Sequence, residues 1–111
     1  MRNITEVPFK WVIVKIENND ETHYKVFASW LGSYLDGDSW KINSGIKSIE
    51  EDEDNYYFIG FSGSQYKCNK KGYGVASSYT QSVLDDFIER SQGKITLMEN
   101  QDWTKLEIPN V

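Results

Sequence analysis

The sequence predicts an α+β fold: an antiparallel sheet of about five to six short strands with one main C-terminal amphipathic helix packed on it. Three observations lead there. Short runs rich in β-branched and aromatic residues succeed one another through roughly the first two-thirds of the chain. Clusters of Asn, Asp, Gly and Ser separate them as turns. After these, one stretch changes its hydrophobic spacing from alternation to that of a helix. With 111 residues, 39% of them hydrophobic and 26% charged, the chain has the size and composition of a single globular domain covering residues 1–111.

The first run, FKWVIVKI at residues 9–16, ends at ENNDE, whose Asn and Asp suit a turn. In HYKVFASWLG, a pleated strand puts Tyr24, Val26, Ala28 and Trp30 on one face and His23, Lys25, Phe27 and Ser29 on the other, and the first set is the better core face. Asp36-Gly37 is a hairpin dipeptide, and Trp40 and Ile42 alternate after it with Lys41 and Asn43. Residues 46–50, 56–62 and 65–68 read as further strands, joined by an acidic turn and a Ser-Gly-Ser turn. The whole reads as a meander.

In SSYTQSVLDDFIERSQGK, the apolar residues Tyr79, Val83, Leu84, Phe87 and Ile88 form a helical stripe. Ser78 and Gln81 have the spacing of a capping box, and Gly93 sits where a left-handed residue closes a helix. KITLM adds one more strand, and ENQDWTKLEI a short helix ahead of Pro109.

Charge narrows the function classes. Twelve Lys and Arg against seventeen Asp and Glu give a net charge of -5, which repels phosphate backbones and anionic lipid, so neither nucleic acid nor membrane is an expected partner. The apolar stretch near the start is interrupted by Lys15 and is too short for a leader or a span, so a soluble, cytoplasmic protein is expected. Cys68 is the only cysteine, which rules out an intrachain disulfide.

Motifs for chemistry are missing where they would be needed. One His and one Cys cannot supply a tetrahedral zinc site by themselves. A calcium loop starting at Asp36 would need glycine where Lys41 stands and glutamate where Lys47 stands. GYGVAS lacks the lysine of a phosphate loop, and FSGS lacks the frame of a nucleophile elbow. Lysines 67, 70 and 71 flank Cys68 and would favour its thiolate, yet a lone cysteine at a strand end is ordinarily a small buried hydrophobe. The expectation is a non-enzymatic protein without metal or cofactor.

Two surface features remain as binding candidates. Trp30, Tyr34 and Trp40, with Asp36 and Asp38, surround the LGSYLDGDS loop, where rings could stack on a ligand or anchor a protein. Glu50, Glu51, Asp52, Glu53 and Asp54 must face water, either as a solvated turn or as a patch read by a basic protein, including the nucleic-acid-mimicking kind of patch.

The stretches FASWLGSYLDGDSWKINSGI and NYYFIGFSGSQYKC resemble short uncharacterised accessory proteins of tailed bacteriophages. That resemblance implies a factor that binds and redirects or inhibits a host protein, of the anti-restriction or anti-CRISPR type, in the bacterial cytoplasm. A protein partner, acting through the acidic and aromatic surface, is thus the leading expectation. A small ligand- or carbohydrate-binding domain using the Trp30, Tyr34 and Trp40 hairpin, a structural subunit, and a homodimer joined through an open sheet edge are the alternatives.

Overall fold

The first apolar run becomes strand β1 (Lys10–Asn18), and its unbroken hydrophobicity has a direct cause: both of its faces are covered. Trp11 and Ile13 point to one core, Val12 and Val14 to another. The computed structural model describes residues 3–32 and 37–108. A tight turn with Asn19 at φ 58° leads into β2 (Glu21–Trp30), which pairs antiparallel with β1 along its length. Here the reading of one core face needs correcting. Val26 and Ala28 are buried as expected, but so are Phe27 and Ser29 on the opposite face.

A short β3 (Ser39–Ile42) adds to the outer side of β2 over Phe27 to Trp30 only. The chain then leaves this sheet. β4 (Ile46–Glu51), β5 (Asn55–Gly60) and β6 (Gln65–Asn69) form a separate antiparallel sheet, and β7 (Ile95–Leu97), after the helix, returns to pair with β1. The single sheet of five to six strands is therefore two sheets, ordered β3-β2-β1-β7 and β4-β5-β6. The helix is followed by a strand.

Asn43 explains the division. Its N–H bonds Val26 O at 3.1 Å and its side-chain Oδ1 accepts Val26 N–H at 2.9 Å, so a side chain ends the ladder where a fifth residue of β3 would have continued it. Gly45, at φ 122°, then turns the chain across to β4, and Phe61 packs so close that a Cβ there would meet its ring at 3.1 Å.

Helix α1 (Ser78–Arg90) is the predicted one, with its cap one residue earlier than the spacing suggests. Ser77, not Ser78, is the N-cap; its Oγ accepts Thr80 N–H at 3.3 Å, and Thr80 Oγ1 accepts Ser77 N–H at 3.0 Å. Gln81 instead donates to Asp85 Oδ1. The inward residues are Thr80 and Leu84, flanked by half-buried Val83, Phe87 and Ile88, whereas Tyr79 is 54% exposed and lies off the stripe. The helix closes at Ser91, before left-handed Gln92 and Gly93.

Three layers result: α1 on one face of the four-stranded sheet, and the three-stranded sheet on the other. Between the sheets, the Trp11 ring is ringed by Tyr56, Phe58, Tyr73 and Trp103, with centroids 4.9 to 6.3 Å away. Trp103 begins a single 3-10 turn (Trp103–Lys105) capped by Asp102, and it is fully buried.

Trp103→Ala should cost about 3 to 5 kcal/mol in urea denaturation, while Tyr79→Ser should cost less than about 0.5 kcal/mol. Asn43→Ala should cost about 1 to 3 kcal/mol, because it strands the buried Val26 N–H without an acceptor.

Candidate functional site

The acidic run splits between a strand end and a turn. Glu50 and Glu51 close β4, and residues 52–54 form the tip that returns the chain into β5; all five are exposed. Asp52 organises this tip. Its Oδ1 accepts the N–H groups of Asp54 and Asn55 at 3.0 and 2.8 Å, its Oδ2 accepts the Tyr57 hydroxyl at 2.5 Å, and its own N–H bonds Asn55 O. The Tyr57 hydroxyl, with the backbone donors, holds the Asp52 carboxyl down at about 2.

Glu51 is also engaged. Lys70 Nζ lies 2.9 Å from its carboxylate and 5.1 Å from the Tyr56 ring centroid, while Lys70 N–H bonds Asp54 O. This pairing raises the lysine's pKa, mainly through the hydrogen bond to Glu51. Two acids thus serve the fold first, and Glu53 and Asp54 present their carboxylates outward.

The aromatic candidates do not converge. Trp40 stacks on Phe27 and meets Phe87 edge-on at 5.2 Å, on the helix side of the four-stranded sheet. Trp30 faces the other way and packs against the core between the sheets. Asp38 accepts Gly32 N–H at 2.9 Å, and hydrogen bonds to Ser77 and to Gly32 hold its pKa below the usual carboxylate value. Tyr34 and Asp36 lie outside the described residues.

What the sequence reading missed sits beside Trp30. Its indole N–H donates to Val7 O at 3.0 Å, and Val7, Phe9 and the next residue in the chain, Leu31, are 59, 51 and 55% exposed. The segment before β1 bends at Phe9, whose N–H bonds Ser29 O, as it crosses from Glu6 beside Tyr66 to the start of β1. The acidic tip is tied to this segment through the chain after β6. Asp54 is bonded to Lys70, and two residues on Gly72 accepts Trp11 N–H at 3.2 Å, next to Phe9. A signal was available for Val7 and Phe9, which precede the strand's buried run, but nothing local in the sequence carries the bond that ties Val7 to Trp30.

Cys68 and His23 lie far apart in the fold's logic. Cys68 is fully buried between the sheets, where loss of solvent pushes its thiol well up, so the thiolate is disfavoured. His23 is on the helix-side face of β2, 3.4 Å from Glu21. It borders an open depression of about 400 Å³ shared with Lys25, Ser44 and Phe61. Among the described residues, no three His, Cys, Asp or Glu side chains gather as metal ligands, and no helix is long and apolar enough to cross a membrane.

Because the carboxyl of Asp52 is depressed in the folded chain, its contribution is full above the ordinary 3.8 and is lost as pH falls toward about 2. Asp52→Ala should therefore lower the urea midpoint clearly at pH 7, and wild type and variant should converge near pH 2. Midpoints measured across that range check it. The sequence matches no family model, and no curated protein or solved structure is similar to it at a significant level.

Proposed function

We propose that this protein is a non-enzymatic binding factor whose contact surface is the end of β2, where exposed Leu31 follows Trp30 and exposed Val7 and Phe9 lie on the segment bonded to Ser29 and Trp30. The observation that carries this is the grouping itself. Val7, Phe9 and Leu31 are each more than half exposed; Val7 O holds the Trp30 indole N–H, Phe9 N–H bonds Ser29 O, and Leu31 is the next residue along the chain after Trp30. Isolated exposed apolar residues are normal, but a group tied to an immobilised aromatic has the make-up of an interface anchor. A ring already held in place loses little entropy on binding.

The partner is a protein with an apolar recess bordered by basic groups. Glu53 and Asp54 are exposed on the tip bonded to Lys70, and the chain's net charge of -5 favours approach by a cationic surface. The resemblance to phage accessory proteins supports a host protein as the target, to be redirected or inhibited by occupation of its surface. Buried, high-pKa Cys68 is unsuited to nucleophilic work, in keeping with action by binding alone.

The test is capture from bacterial lysate with wild type and two variants. Leu31→Asp, a surface change, should weaken capture of the same partner by about tenfold or more, a loss of about 1.4 kcal/mol. Glu53→Lys with Asp54→Lys should weaken it less, and the wild-type complex should loosen as salt rises. A partner held equally well by Leu31→Asp would overturn the reading.

A further inference from the structure

The lower half of β2 is an open sheet edge with a short, defined set of backbone groups. Val26 turns its N–H and C=O toward Asn43, away from β1, so the residues two and four earlier, Tyr24 and Thr22, present theirs in the same direction. β3 covers β2 only from Phe27 onward. Among the described residues, no strand lies beside Thr22 and Tyr24. β7 pairs with β1, residues 5–6 bond Gln65 O and receive Lys67 N–H along β6, and the outer edge of β4 has no strand beside it among the described residues.

We propose that this edge joins two copies of the chain, strand to strand and antiparallel, about a twofold axis at His23. The available groups select this register. With Val26 taken by Asn43, only Thr22 and Tyr24 can form hydrogen-bonded pairs, and pairing each with the other in the second copy places His23 opposite His23. Glu21 of each copy then falls opposite Lys25 of the other, in the positions where side chains come closest. A lysine on an open edge ordinarily deters pairing. Here the twofold turns it into two opposite-charge pairs, so the surface is complementary to itself despite the overall negative charge.

The surroundings accept the second copy. β2 begins immediately after the turn at Asn19 and Asp20, so the incoming strand bends away before it reaches β3. Beside this edge lies the open depression lined by His23, Lys25, Ser44 and Phe61, whose ring is half exposed. On the opposite face, Tyr24 of one copy meets Thr22 of the other, an aromatic with β-branched pair of the kind that stabilises sheets. Trp30 stands at the far end of the ten-residue β2, so this contact leaves the proposed binding surface uncovered.

Sedimentation should show a concentration-dependent mass approaching twice 12.9 kDa at up to about 1 mM chain. Antiparallel partners without mutual hydrogen bonds lie about 4.5 Å apart at Cα, within disulfide reach, so His23→Cys should cross-link to a dimer on oxidation. Cys68 is buried and should leave wild type uncross-linked. Glu21→Lys and Lys25→Glu should each self-associate at least about tenfold more weakly than wild type, yet pair with one another when mixed, since both cross-strand pairs are then opposite in sign. A wild-type chain monomeric at the highest concentration, failure of His23→Cys to cross-link, or no association in the mixture would overturn the proposal. None of these results bears on capture through Leu31.

Discussion

Burial of one indole holds the layers in place. Trp11 lies at the start of β1, yet its ring touches β5 through Tyr56 and Phe58, the segment after β6 through Tyr73, and the C-terminal turn through Trp103. Its polar groups are as fully committed as its ring. Nε1–H donates to Asn69 O at 2.7 Å, its backbone N–H to Gly72 O, and its C=O accepts from Gly74. Tyr73 continues the brace, since its hydroxyl donates to Met98 O and accepts Ile13 N–H. A large aromatic with every donor satisfied gains burial without an orphaned polar group. On the other face a smaller stack of Phe27, Trp40 and Phe87 seats the helix.

Covering β1 and β2 on both sides has a consequence for the surface. Over Trp11 to Val14 and Val26 to Ala28 both faces of the four-stranded sheet are covered, so the strand ends, hairpin tips and edges make up much of what stays exposed. The acidic run shows how such a place serves two purposes. Asp52 and Glu51 hold the tip in shape through Tyr57, the backbone and Lys70, and the shaped tip then holds Glu53 and Asp54 toward solvent. A solvated turn and a contact surface need not exclude each other when different carboxylates do the two jobs.

Local chemistry was legible in the sequence, and long-range choices were not. Every strand and the helix could be placed because apolar spacing and turn residues act over a few positions. The cap slipped by one residue because Ser77, Ser78 and Thr80 are all competent, and the usual preference for Gln at the third helical position favoured the wrong serine. Trp103 is fully buried, in a stretch whose sequence reads only as a short helix. Trp30 and Trp40 looked like one cluster because they flank one loop; the pleat sends them to opposite faces. Return of β7 to β1 depends on a contact made across the whole domain, which no short window carries.

The least legible feature was the division into two sheets, and it turns on Asn43. The alternation in β4 and β5 is the same whether they extend the first sheet or start a second. Only a side chain that mimics a strand partner decides between them, by taking Val26's N–H and offering its own N–H to Val26's carbonyl. Its Nδ2 is buried with no partner among the described residues, so the arrangement carries a cost of about 1 to 3 kcal/mol that a plain continuation of β3 would avoid. What the cost sustains is geometric. The same residue that releases the chain toward β4, and so lets β5 close over Trp11, also stops β3 short and leaves Thr22 and Tyr24 uncovered. Core closure and open edge are two outcomes of one amide.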